Sequence, residues 1–212
     1  MRMLQSLRAM AIAVVALVAA GPAAALTADE RSALDSISKR FSTVRTMNGE
    51  FVQFGPDGSR TEGKFYIARP GKVRFQYDKP STISVIADGK SVLVHDKKLR
   101  TYDIWPLSKT PLKYLLDSSI DLATFDKVKG VSLESDLVQV VIVDDSKFGG
   151  GRLTLIFDRT SNELRQWTVT DEQGLETSVA LYNVESGRDL GSDLFKINYA
   201  AATNAAQDAQ RR

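Results

Sequence analysis

The sequence predicts a mainly β protein whose antiparallel strands form a curved sheet or barrel, with one helix in front and a short helix inserted midway. Three observations carry this. One stretch near the N-terminus repeats its apolar residues at three- and four-residue steps. From Gly49 onward the period is two, in short runs divided by turn residues. Several of those runs are apolar on both faces.

The first segment, MRMLQSLRAMAIAVVALVAAGPAAALTADE, precedes the folded part. Arg2 and Arg8 come first, then an apolar run from Met10 to Ala20, a Gly-Pro break and Ala23-Ala24-Ala25. That is the order of a secretory signal, with cleavage expected after about Ala25. The run is short for a membrane span, so an uncleaved anchor is the lesser reading. Without a twin arginine, the general export route is expected. The expected organisation is therefore a signal at 1–25, one domain at 26–200 and a disordered alanine-rich tail at 201–212.

Removing Arg2 and Arg8 from 28 basic residues leaves 26, against 26 acidic ones. The mature chain is neutral, so its charge points to neither nucleic acid nor an anionic surface. Cysteine is absent, which excludes disulfides, thiolate metal sites, a cysteine nucleophile and a lipid-modified N-terminal cysteine. A soluble product of an exported compartment follows, the periplasm if the host is Gram-negative.

The first helix is predicted from about Ala28 to Arg45. Thr27 and Glu30 have capping-box spacing, and Leu34, Ile37, Phe41 and Val44 form the apolar stripe. Then come EFVQF, GKFYIA, KVRFQY, ISVIA and SVLVHD, separated by Pro56-Asp57-Gly58, Pro70-Gly71, Lys79-Pro80 and Asp88-Gly89. VSLES, LVQVVIV, GRLTLIFD, LRQWTVTD and TSVALYNV follow. About ten strands suit a curved sheet or barrel. Between the two groups, Thr110 to Leu116 reads as a short helix with Pro111 at its first position and Leu112, Leu115 and Leu116 on one face.

In VIADGKSVLV, LVQVVIV and LTLIF, apolar residues stand side by side on opposite faces, so both faces are covered or one lines a cavity. The pattern alone favours a solid core over a ligand cavity. One residue breaks it: Arg69 is in phase with Phe65 and Ile67.

Catalytic inventory is thin. His95, the only histidine, lies at a strand end with Asp96 on the opposite face, and there is no G-x-S-x-G elbow. The carboxylates around Asp144-Asp145 and Asp171-Glu172 read as turn chemistry rather than calcium ligands. Gly149-Gly150-Gly151 lacks the Lys-Ser/Thr of a phosphate loop. A carboxylate pair for glycosidic chemistry cannot be placed from sequence. No metal, no cofactor and no enzymatic activity are expected.

The chain resembles the LolA family of periplasmic carriers of outer-membrane lipoproteins, from the first helix to about Tyr199. The residues that carry the resemblance are Gly63, Arg69-Pro70-Gly71, Arg74-Phe75, Pro80 and Asp88-Gly89-Lys90. Phe51-x-Gln53 upstream, Thr110-Pro111-Leu112 and Asp171-x-x-Gly174-x-x-Thr177 downstream add to it. Each is weak alone; their order is more specific. Two departures stand out. Phe195 to Tyr199 runs into an alanine-rich tail where many relatives have a proline-containing extra strand, and His95 stands where an aromatic is common.

The resemblance implies an incomplete, unclosed antiparallel β-barrel with an α-helical lid enclosing a hydrophobic cavity, and it turns the solid-core reading into a cavity reading. It implies a non-enzymatic carrier, expected to be monomeric, with three partners: acylated lipoproteins, an inner-membrane ABC transporter that releases them, and an outer-membrane acceptor. Phe51, Phe65, Ile67, Val73, Phe75, Tyr77 and Val85 become candidates for the acyl-chain cavity. Leu34, Ile37, Phe41, Leu112 and Leu115 become candidates for the lid's underside. Arg69 becomes a latch that bonds the lid and lets go when cargo enters; Pro70 favours an extended Arg69, and a guanidinium suits unpaired helix-end carbonyls. A carrier of other amphiphiles using the same cavity is the alternative. A lipid-sensing regulator is a third reading, though such proteins usually carry a second domain for which this chain leaves no room.

Overall fold

The structure, a computed structural model, describes residues 26–145 and 150–210. The expected signal at 1–25 and the end of the tail lie outside these residues, as does Gly149 of the glycine run.

Helix α1 spans Ala28–Thr43. Its start is the expected capping box: Thr27 Oγ1 accepts from the Glu30 amide, and a Glu30 carboxylate oxygen accepts from the Thr27 amide. The helix stops two residues short of Arg45 because Val44 is already extended. Leu34, Ile37 and Phe41 form its buried face.

Eleven strands follow: β1 Thr46–Phe54, β2 Arg60–Ala68, β3 Lys72–Tyr77, β4 Ile83–Asp88, β5 Ser91–Asp96, β6 Thr101–Pro106, β7 Val128–Leu133, β8 Leu137–Asp144, β9 Gly151–Asp158, β10 Leu164–Thr170 and β11 Glu176–Ser186. They form one antiparallel sheet in the order β6-β5-β4-β3-β2-β1-β11-β10-β9-β8-β7. Two meanders, β1–β6 and β7–β11, are joined by the pairing of β1 with β11. The edges β6 and β7 do not pair, so the sheet is not closed. The chain between them, 107–127, carries a 3-10 turn at Leu107–Lys109 and helix α2 at Leu112–Leu115. Pro111 precedes α2 as its cap residue instead of occupying its first turn.

Strand β6 was not among the expected strands. None of its residues is buried and it ends in Pro106, as an edge strand tolerates; its Thr101-Tyr102-Asp103-Ile104 alternation is short and runs into Trp105-Pro106.

The ladder registers define an inner face. Met47, Ile67, Val73, Ala87 and Val92 stand opposite one another across five strands, and Phe65, Phe75 and Val85 form the next row. Phe51 packs edge-on against Phe75 and Tyr77, at 5.0 and 5.1 Å between ring centroids. Gly63 is the partner of both Phe51 and Tyr77 in the ladders. A Cβ there would lie 2.1 Å from the Gln76 carbonyl, so only glycine leaves the strands their spacing. From the other meander, Val138, Val140, Ile142, Leu153, Leu155, Phe157, Trp167, Val179 and Leu181 complete the buried wall.

The outer face of β4 and β5 is covered by the C-terminal segment. Ile86 and Leu93 are buried there, as is Phe195 in the 3-10 turn Ser192–Phe195 that packs on β3 and β4. Arg74 Nη1 donates to the Leu194 carbonyl at 3.1 Å. The tail expected to be disordered is helix α3, Tyr199–Gln210, lying against β6. Alanine has the highest helix propensity, and the helix gains tertiary anchors that composition does not display: Ala202 is buried, and the Tyr199 hydroxyl donates to Asp88 Oδ2 at 2.8 Å. The two-sided apolar strands of this meander are thus explained by cover on both faces.

Candidate functional site: a lidded apolar interior

The concave face of the sheet is apolar, and α1 with the 107–127 segment lies over it. Leu34, Ile37 and Phe41 from α1, and Leu115, Leu116 and Leu122 from the segment, join one continuous core with Phe51, Phe65, Ile67, Val73 and Phe75. Leu112, Tyr77 and Val85 are partly buried at the margin of the same core. Every candidate wall and lid residue read from the sequence therefore meets in one place. Sequence phase missed Leu122, Met47 and Trp167, and it could not reach Leu122 because that residue lies in an irregular loop.

The interior is filled by these side chains. A small cavity of about 30 Å³ remains at the end of α1, lined by Phe41, Val44, Met47, Arg69, Phe157 and Leu164 among others. That is about the share of one liquid water and far below an acyl chain. An apolar guest would have to displace the lid.

Arg69 stands at that cavity, continuing the inner row of β2 from Phe65 and Ile67. It is 8% exposed. Its Nε donates to the Leu115 carbonyl at 3.1 Å, and its Nη1 donates to the Phe41 and Val44 carbonyls at 3.2 and 3.0 Å. The first acceptor ends α2 and the other two end α1, where carbonyls lack intrahelical partners. The guanidinium also lies over the Phe41 ring, 3.6 Å from its centroid. Burial, with repulsion from Arg45, lowers its pKa to about 10, against the opposing pull of Asp117. It remains a cation at neutral pH. Backbone bonds flank it: the Arg69 amide donates to Arg45 and the Gly71 amide to Leu116, both at 2.8 Å. Gly71 has φ +79, and a Cβ there would sit 2.7 Å from Gly89 Cα, which accounts for glycine after Arg69-Pro70.

A second polar residue holds the lid from the far meander. Against the turn chemistry its sequence context predicts, Asp144 is the last inward residue of β8, in phase with Val138, Val140 and Ile142, and is 3% exposed. Its Oδ2 accepts from Lys113 Nζ at 2.5 Å and from the Tyr114 hydroxyl at 2.7 Å, both on α2. Its Oδ1 accepts from Lys127 Nζ at 3.0 Å. Burial pushes the carboxyl up, but the bonds from Lys113, Tyr114 and Lys127 outweigh it and hold Asp144 well below the carboxylate range. Burial and the carboxylate push the Tyr114 phenol above its ordinary value. A charged residue continuing an apolar alternation marks both Arg69 and Asp144, and the signal was available at each.

His95 stacks on Tyr102, 4.0 Å between centroids, and Asp96 bonds Thr82 and the following turn instead of the imidazole.

A family profile described as outer membrane lipoprotein carrier protein LolA matches residues 42–198. A Methylococcus capsulatus protein named outer-membrane lipoprotein carrier protein is 26% identical over 175 residues, covering 78% of this chain and 83% of that one. A Leptothrix cholodnii protein of the same name is 27% identical over 198 residues, covering 90% and 92%. One from Chromobacterium violaceum is 37% identical over 87 residues, covering 39% and 42%.

Proposed function

The chain belongs to the LolA family of outer membrane lipoprotein carrier proteins, and from that premise we propose that it shields the acyl chains of lipoproteins in the periplasm between an inner-membrane ABC transporter that releases them and an outer-membrane acceptor. Burial is worth roughly 0.8 kcal/mol per CH₂, so an acyl chain left in water costs on the order of ten kcal/mol. Phe51, Phe65, Ile67, Val73, Phe75, Tyr77 and Val85 provide the apolar wall that offsets this cost. Leu34, Ile37, Phe41, Leu112 and Leu115 occupy the wall until cargo displaces them.

The lid sets the affinity. Opening it gives up core contacts and hydrogen bonds, so net binding is weaker than the gross burial and the cargo can leave again. Arg69 is the latch of this exchange. The observation that carries the reading is that its side chain, fixed on the wall, spends its donors on carbonyls of both lid helices. When cargo lifts the lid those bonds break, and their re-formation drives release.

Reconstitution tests the reading. Proteoliposomes holding the transporter and a triacylated lipoprotein are given ATP and the mature protein. The lipoprotein should appear in the soluble fraction in complex with it. Lipoprotein that stays with the vesicles under these conditions contradicts the proposal.

A further inference from the structure

The hairpin β5–β6 lies at the open edge of the sheet, and its turn reads Lys97-Lys98-Leu99-Arg100. Leu99 is 68% exposed, more than any other large apolar residue among the described ones. A loose loop would make this unremarkable, but the turn is tightly built. Asp96 Oδ1 accepts from the Lys98 amide at 2.8 Å, the Leu99 amide at 3.1 Å and the Thr82 hydroxyl at 2.8 Å. The Lys97 amide donates to the Thr82 carbonyl at 3.1 Å, tying the turn to the start of β4. Arg100 takes the left-handed conformation, φ +57, uncommon for a side chain of its size. The protein holds a leucine out in solvent on a fixed support.

Charge surrounds it. Lys97, Lys98 and Arg100 share the turn, and Lys79 lies in the neighbouring β3–β4 turn; among the described residues none of the four forms an ion pair. Asp96, the one carboxylate of the turn, is occupied with the amides and Thr82. Ile83, 36% exposed and paired with Asp96 across the ladder, adds apolar surface beside the tip. Helix α3 packs on β6 itself, while all four residues of the turn, 97–100, are exposed, so the tip can meet a flat surface.

We propose that this tip is a docking site for the anionic phospholipid surface of a bilayer, with Leu99 entering the acyl boundary and the four cations lying among the headgroups. An apolar residue ringed by lysine and arginine is the combination that binds such an interface, and each part alone is weak. This goes beyond the carrier reading and does not depend on it, because docking needs no cargo. For a carrier it would bring the interior close to the membrane that receives the load.

The test is co-sedimentation of the mature protein with vesicles of phosphatidylglycerol and phosphatidylethanolamine, and with vesicles of phosphatidylcholine alone. Binding to the first and not the second is expected, reduced about tenfold by Leu99→Asp and again by the double change Lys97→Glu, Lys98→Glu. Leu99 is solvent-exposed, so circular dichroism should show each variant folded. No binding to the anionic vesicles, or binding that Leu99→Asp leaves unchanged, overturns the proposal and leaves an acidic protein as what the tip would meet. Leu99→Asp should still take up lipoprotein from the transporter, so a failure of docking and a failure of the carrier function are read separately.

Discussion

Arg69 Nε donates to the Leu115 carbonyl at 3.1 Å while Nη1 of the same side chain reaches Phe41 and Val44. One residue directly after strand β2 is thereby bonded to the ends of both helices that cover the sheet. Asp144 grips the second of these helices from the opposite meander. Arg69 and Asp144 are the two buried charged residues that hold the lid over an otherwise apolar interior.

Asp144→Asn should loosen the lid without unfolding the sheet. Asparagine can still accept from Tyr114, but Lys113 and Lys127 lose their counter-charge. Both lysines are partly solvated, so the expected loss is about 1–3 kcal/mol, less than for a fully buried pair. Urea unfolding measures it, and binding of a fluorescent apolar dye should rise.

The same residue predicts a pH dependence. Its folded pKa lies below the ordinary value near about 4, so its contribution is fully present above that value and is lost as pH falls through the folded one. The stability gap between the native protein and Asp144→Asn should be constant near neutrality and shrink on acidification below about pH 4. Paired urea titrations across this range check it; a gap that grows on acidification contradicts it.

Much of this arrangement was legible in the chain. Strand phase set Phe65, Ile67 and Arg69 on one face, and the capping box and apolar stripe set α1. What stayed hidden has physical reasons. Strand β6 buries none of its residues, and its alternation lasts only from Thr101 to Ile104 before Trp105-Pro106 ends it. Helix α3 looks like a polar tail because its anchors, Tyr199 on Asp88 and the buried Ala202, exist only in three dimensions. The Asp144-Asp145 pair signals a turn, yet counting the alternation two residues beyond Ile142 places Asp144 inward.

The C-terminal cover can be tested directly. Phe195→Ala removes a buried ring over the outer face of β3 and β4 and should cost about 3–5 kcal/mol, with increased dye binding as the apolar patch around Ile86 and Leu93 loosens. A negligible change would mean that this segment does not stabilise the sheet.

The wall itself predicts a paired effect. Phe65→Ala should lower stability by a similar amount of about 3–5 kcal/mol, and, on the proposed wall role, it should also shorten the lifetime of a lipoprotein complex, since the ring would serve both the closed core and the guest. Thermal unfolding gives the first quantity and timed transfer to acceptor-free vesicles gives the second.

Arg69→Leu tests the latch most directly. Leucine keeps the apolar surface and removes the donors that bond the lid. In a reconstituted assay with transporter, lipoprotein and acceptor, the variant should take up lipoprotein as the native protein does but fail to pass it on, leaving a stable soluble complex. Normal transfer by Arg69→Leu would contradict the account.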